Sequence, residues 1–297
     1  MTMPRFLSKL LLFAVLLLGV DYLVDSFLRR GLARYYGLDR PAEVLLIGHS
    51  HTKLGIDAVT LERDLGKPVA KYAVNGVGVV ERLAMLRHYY AEHPDGAKTV
   101  VYDVDSRLFG IPASSNAYRL FYPFIDSPEM AVFLRKQAGS NSEFQLRKLL
   151  RSLRYNATLL NLSMRGWFEV TASFKVGRVG EESLRPDYLE RRYGKIVVEQ
   201  ELLRAFEMTL AFLHERNVRV ILCYVPIVDR LALVDQKAHD RVVDVIRDCS
   251  EKYGAELVDM QKKFGSRYEL FVDPVHLNKD GQKLITVEVC QYLTIKK

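Results

Sequence analysis

Five short apolar runs punctuate the chain after residue 42: EVLLIG, KPVAKYAV, KTVVYDVD, VRVILCYVP and AELVDM. Strands buried on both faces of a parallel sheet read as continuous apolar runs, and parallel pairing demands long crossovers. The crossovers are present as apolar residues at helical spacing over residues 79–93, 201–216 and 234–253, and a last helix over 279–292 has Asn278 as its N-cap. This alternation predicts an α/β chain with a three-layer α/β/α, flavodoxin-like arrangement and a parallel five-stranded sheet in the order 2-1-3-4-5. With 297 residues, 49% of them hydrophobic and 27% charged, there is ample material for such a core.

The rhythm breaks over residues 109–197, which hold aromatics, ASSN, AGSNSE and a surplus of Arg and Lys. So long a stretch is not an ordinary connection, so it is read as a helical insertion, either decorative or forming a lid or acceptor wall. Arg147, Lys148, Arg151, Arg154, Arg191 and Arg192, interleaved with Tyr155, Trp167, Phe168 and Tyr193, suit a groove for an anionic or sugar acceptor; Arg147 to Arg154 also suits the solvated face of a helix.

Ahead of the sheet, Arg5 and Lys9 precede LLLFAVLLLGV, and the apolar character of residues 6–28 resumes after Asp21 before Arg29 and Arg30. A spanning helix needs about 20 mostly apolar residues, and no A-x-A cleavage signal follows. The expectation is a transmembrane anchor with linker over residues 1–41, in preference to a cleaved signal peptide or a buried helix, and a catalytic domain with its insertion over 42–297. Basic residues at both ends leave the orientation open to the positive-inside rule. Asp21 and Asp25 share one helix face and point either to protein or water, or to the interface.

A net charge of +7 without zinc-finger spacing, RNA-binding aromatics or a basic helix argues against nucleic acid and suits an anionic membrane surface or envelope polymer. Cys223, Cys249 and Cys290 form no short-spaced set and read as core thiols.

Ligands of open parallel sheets lie beyond the carboxyl ends of the strands. There the chain places Ser50, Asn75, Asp105 and the loop FVDPVHLNKDG. Asp273 and His276 stand three apart with Pro274 between them, so the carboxylate can hold one imidazole nitrogen while the other meets a serine.

Gly48-His49-Ser50 and Asp273-Pro274-Val275-His276-Leu277-Asn278 resemble the first and last blocks of the SGNH (GDSL-type) hydrolases over about residues 42–294. The resemblance implies Ser50 as nucleophile, His276 as base and Asp273 as its orienting partner. It implies an oxyanion hole from the Ser50 N–H and a glycine of VNGVG, Gly76 or Gly78, with Asn75 beside them. Two departures stand out: His49 replaces the usual Asp, and no GxND block follows strand three, where DVDSRLF offers Asp105 or Ser106 instead. His49, His51, Asp105 and Ser106 are thus expected to face substrate. The anchor, the residue order and the insertion are similar to the DltD family of teichoic-acid D-alanylation proteins. That similarity implies an extracytoplasmic serine acyltransferase or esterase acting on an envelope glycan or polymer hydroxyl, beside a membrane-bound O-acyltransferase, with no cofactor.

Other chemistries fit less of the chain. A G-x-S-x-G elbow fails at Thr52. His49 and His51 suit metal chelation but have no third ligand at convincing spacing, so no metal is expected. Asp103 and Asp105 resemble the Asp-x-Asp of haloacid-dehalogenase-type phosphatases, a reading that leaves Ser50 and His276 idle. A catalytically degenerate SGNH domain that binds polymer or a partner stays open.

Overall fold

The computed structural model of the protein describes residues 3–110 and 113–295. In chain order the elements are α1 (Met3–Tyr36), β1 (Val44–Gly48), α2 (Ser50–Gly55), α3 (Ala58–Leu65), β2 (Val69–Ala73), α4 (Val79–Glu92) and β3 (Thr99–Val104). There follow α5 (Pro128–Gln137), α6 (Asn141–Leu149), α7 (Ala157–Trp167), α8 (Pro186–Tyr193), α9 (Gln200–His214), β4 (Arg219–Tyr224), α10 (Asp229–Leu233) and α11 (Gln236–Tyr253). The chain ends with β5 (Glu256–Asp259), α12 (Gln261–Phe264), β6 (Phe271–Asp273), β7 (His276–Leu277) and α13 (Lys279–Ile295). They divide into two compact units, one of residues up to Asp39 with Asn116–Thr171, the other of Arg40–Ser115 with the residues from Ala172 on. The stretch expected as one insertion, 109–197, is therefore shared between the units.

The sheet of the second unit is parallel throughout in the order β2-β1-β3-β4-β5, the five-stranded arrangement expected. β1 is buried along its whole length, as its unbroken VLLIG requires of a central strand. Side chains alternate between faces: Leu46, Val101, Ile221 and Cys223 join Ile285 and Val289 of α13 in one core. On the other face Tyr102 packs its ring 5.7 Å from that of Phe206 on α9. Asn278 caps α13 by accepting from the N–H groups of Asp280 (3.1 Å) and Gly281 (3.0 Å). Two details differ from expectation. The helix expected over 234–253 is α11, which starts at Gln236, and a separate short helix, α10, precedes it. β6 and β7 form an unforeseen antiparallel pair in which Asp273 stands opposite His276. Pro274 and Val275 are the two residues between them, so the Asp-x-x-His spacing is that of a tight hairpin.

In the first unit α1 runs 34 residues, on past the apolar stretch to Tyr36, and is long and apolar enough to cross a membrane. Its buried residues, Asp21, Asp25, Leu28, Gly31, Leu32, Tyr35 and Tyr36, form one stripe covered largely by α7. The helices meet where glycines face each other: a Cβ on Gly166 would strike the Gly31 carbonyl, and one on Gly31 would strike Ser163. Ser163 Oγ also donates to the Leu28 carbonyl at 2.8 Å, and Trp167 Nε1 to that of Phe27 at 3.0 Å.

The two carboxylates of α1 face protein of their own chain. Asp21 accepts from the backbone N–H groups of Arg151 (2.7 Å) and Ser152 (2.8 Å). Fully buried Asp25 meets the Tyr155 hydroxyl at 2.8 Å and the guanidinium groups of Arg151 (3.1 Å) and Arg154 (3.5 Å), with Asp126 completing the cluster 2.9 Å from Arg154. Arg151 and Arg154 are thus consumed inside the unit, which corrects their assignment to an acceptor groove.

Removing one member of a buried pair leaves an uncompensated charge and costs roughly 3–5 kcal/mol, whereas an exposed pair contributes about 0–1 kcal/mol. Asp25→Ala should therefore lower the thermal unfolding temperature of the detergent-solubilised chain far more than Asp64→Ala, which breaks only the surface pair with Arg63. Equal shifts for the two variants would show the cluster to be energetically idle.

Candidate active site

Ser50 is the first residue of α2, directly beyond the end of β1, and the turn that presents it leaves no room for a side chain at Gly48. A Cβ on Gly48 would collide with the Thr52 hydroxyl and lie 2.6 Å from Asp103 Oδ2. Asp103, buried on β3, accepts from the N–H (3.0 Å) and Oγ1 (2.7 Å) of Thr52 and pairs through Oδ1 with Arg82 of α4 at 2.6 Å. Burial works to raise its carboxyl, but Arg82 and His49 outweigh that and hold it well below the usual carboxylate range. Engaged at both oxygens, buried and not among the cavity-lining residues, Asp103 is a clamp on the β1–α2 turn, which argues against the phosphatase alternative.

Across the hairpin, His276 Nε2 lies 2.9 Å from Ser50 Oγ, and its Nδ1 lies 2.9 Å from both oxygens of Asp273. Asp273 Oδ1 also accepts from the backbone N–H groups of Val275 and His276, and Lys175 Nζ stands 3.5 Å from Oδ2. Partial burial acts to raise the Asp273 carboxyl; its bond to His276, the Val275 N–H and the Lys175 charge prevail and bring it down to about 2. Near neutrality it is an anion, so Nδ1 carries the proton and Nε2 presents a lone pair to Ser50.

His49 stands where the resembled family has Asp, and it performs a cap. Its Nδ1 is 3.1 Å from the His51 N–H and 3.2 Å from Asp103 Oδ2, so it accepts from the first or donates to the second. Burial, helped by His51 and Arg82, lowers its pKa against the pull of Asp103, and the ring is neutral in either tautomer. His51 Nδ1 stands 3.3 Å from Asp105 Oδ2, and its ring is 5.6 Å from that of His276. Asp105 is buried, which acts to raise it, but His51, His49 and the Arg107 N–H bring it down to about 2. A second His–Asp pair therefore flanks Ser50.

His49, His51 and Asp103 bring possible metal ligands within 4.8 Å of one another. They do not suit a cation: Asp103 is already held by Arg82 and Thr52, and an added ion would sit beside the guanidinium.

A cavity of about 220 Å³ opens over Ser50 and His276, with His49, His51, Gly76, Gly78, Arg82, Asp105, Arg107 and Tyr193 among its walls. Of the N–H groups expected near an oxyanion, that of Gly78 donates to Glu81 Oε2 at 2.9 Å. Those of Ser50 and Gly76 have no acceptor among the described residues, and Gly76 holds a left-handed φ of 76°. Asn75 is exposed and Ser106 is buried, and neither lines the cavity. Arg107 donates to the carbonyls of Tyr193 (2.6 Å) and Gly194 (2.9 Å) and so fastens the end of α8 as a cavity wall. Arg82 and Lys175 were not anticipated. Arg82 carried one signal, a cation on the apolar face of an expected helix; Lys175 carried none.

Carboxylates with depressed folded-state pKa values stabilise the fold fully above the unfolded value, near 4, and lose that contribution as pH falls through the folded value. With Asp105 and Asp273 at about 2 and Asp103 also held well below the usual carboxylate range, stability should hold down to about pH 4 and fall steeply toward pH 2. Melting curves across that window check this, and Asp103→Asn should flatten the acid limb while lowering stability at neutral pH.

The sequence pattern described as DltD protein matches residues 187–294, less than half of the chain, a stretch that includes Asp273 and His276 but not Ser50. No curated protein matches. Among solved structures, a lipase/acylhydrolase from Enterococcus faecalis is 13% identical with TM-score 0.43, covering 84% of this chain and 94% of that one. TesA is 12% identical with TM-score 0.45, covering 84% and 98%. A catalytic mutant of an acetylxylan esterase from Geobacillus stearothermophilus is 11% identical with TM-score 0.45, covering 86% and 95%. The chain resembles the SGNH hydrolases and, over its C-terminal part, the DltD proteins among them.

Proposed function

We propose that the protein is a membrane-anchored, extracytoplasmic serine acyltransferase or esterase. It moves an acyl group onto or off a hydroxyl of an envelope glycan or polymer, working beside a membrane-bound O-acyltransferase. The observation that carries this is the unbroken relay from Ser50 Oγ through His276 to Asp273, each step 2.9 Å, at the floor of a cavity. Residues 1–41 serve as anchor and linker and residues 42–297 as the catalytic domain with its insertion.

Ser50 Oγ attacks the acyl carbonyl carbon while His276 Nε2 takes its proton. The carbonyl electron pair moves to oxygen, where the Ser50 and Gly76 N–H groups receive it. Collapse breaks the bond to the donor oxygen, which leaves with the proton from Nε2, and Ser50 holds the acyl group. An acceptor hydroxyl or water then gives its proton to Nε2 and attacks; the bond to Oγ breaks and Ser50 recovers a proton. Asp273 stabilises the transient imidazolium. Water and sugar hydroxyls share these steps, so the anchor favours transfer: residence at the membrane serves a protein that receives acyl groups from a membrane donor.

Ser50→Ala should lower turnover roughly 10⁴-fold or more with the fold intact. The test follows a chromogenic acyl ester with and without envelope glycan, both products being weighed by mass spectrometry. Glycan-independent hydrolysis with no acylated glycan would favour a plain esterase. No acyl-serine at all would favour a degenerate binding domain, the reading that the missing GxND block supports.

His51, held by Asp105 beside His276, is assigned to the acceptor. His51→Ala should raise the KM for glycan while leaving the acylation rate of Ser50, read as the pre-steady-state burst, nearly unchanged. An equal loss in both would make it a support for the turn instead.

A further inference from the structure

We infer that the apolar rim of the first unit, Leu146, Leu149, Leu153, Leu160, Met164 and Phe168, is immersed in the bilayer interface beside α1, with lipid as its partner. The inference rests on the reading of α1 as an anchor.

All six side chains are exposed in the structure. Leu160, Met164 and Phe168 recur every four residues along α7 and just past its end, on one face. The opposite face, with Leu159, Leu162, Ser163 and Gly166, is buried. Large apolar side chains on the exposed face of a helix whose other face is already buried suit lipid better than water, and the polar groups beside them, Thr158 and Asn161, suit the interface rather than the hydrocarbon.

Depth along α1 identifies the covering medium. At 1.5 Å per residue, a hydrocarbon layer of about 30 Å entered at Phe6 is crossed only near Asp25. The backbone of Arg151 and Ser152 bonds Asp21, four residues short of that, where Tyr22, Leu23 and Val24 on the outer side of α1 are still exposed apolar groups. Leu149 and Leu153 flank that contact and share its level. The Asp21–Asp25–Arg151–Arg154 cluster has the form expected of carboxylates at membrane depth, paired within the protein. Around the rim, Lys148 and Arg30 are exposed cations, suited to anionic headgroups. Trp167, stacked on Phe27 at 4.9 Å between ring centroids, occupies the level where tryptophans gather at membrane interfaces.

Trp167 is the single tryptophan of the chain, so its fluorescence reports this surface alone. The full chain is reconstituted into phosphatidylethanolamine–phosphatidylglycerol vesicles carrying bromines near the carboxyl end or near the methyl end of the acyl chains. Emission should be quenched more by the shallow bromines than by the deep ones, and aqueous iodide should quench it weakly. A cysteine at Leu160→Cys bearing an environment-sensitive dye should shift to the blue on reconstitution. Loss of the protein from vesicles in alkaline carbonate would overturn the anchor itself. Retention in carbonate together with full iodide quenching and no bromine quenching would overturn the immersion alone. A photocrosslinker at position 160 that captures protein instead of lipid in native membranes would likewise overturn lipid as the occupant.

Discussion

The edge of the sheet that carries Ser50 depends on one buried carboxylate. Asp103 ties three elements together: its own strand, the first turn of α2 through Thr52, and α4 through Arg82. Its desolvation is offset because every oxygen is engaged and the partner cation is equally buried. Arg82 also donates to the Asp103 carbonyl at 2.9 Å and lies 5.1 Å from the Tyr102 ring centroid. Because Gly48 admits the clamp only without a Cβ, the position of Ser50 follows from packing several residues away. A hydroxyl held this way needs no support from its own side chain.

The imidazoles around Ser50 gain distinct roles from their surroundings. His276 lies against a carboxylate that is anionic near neutrality and has a serine on its far side, the arrangement of a base. His49, enclosed and neutral, replaces the acidic residue of the resembled motif as a cap, because a neutral ring nitrogen accepts an N–H as a carboxylate does. His51 has a carboxylate of its own and shares the cavity wall with His276. Three histidines within one cavity therefore do not imply a metal; the carboxylates that would complete such a site are committed to arginine, threonine and backbone N–H groups.

Much of this was legible in the sequence for physical reasons. The strands of a doubly covered sheet must be apolar throughout, so β1, β3 and β4 announce themselves, and the order of the sheet follows from crossover handedness. Ser50, Asp273 and His276 could be placed together because strand ends converge at one edge. What stayed hidden depends on distant partners. Gly78 has the right position for an oxyanion donor, yet its N–H is taken by Glu81 at the start of α4. Asn75 and Ser106 lie in the right loops and point elsewhere, because loop position does not fix side-chain direction. Lys175 reaches Asp273 from a segment with no periodicity to betray it.

The same distinction governs charge. The surplus of arginine between residues 147 and 154 invites assignment to an external anion, yet Arg151 and Arg154 answer Asp21, Asp25 and Asp126. A carboxylate inside an apolar helix is so costly that it calls for a cation somewhere, and the least costly source is a segment of the same chain that folds against it. Asp21 and Asp25 were visible on one face of α1, and the arginines were visible in the insertion. Joining them takes only the rule that a charge within an apolar helix and an unexplained surplus of the opposite sign should be tested against each other before either is given to an outside partner.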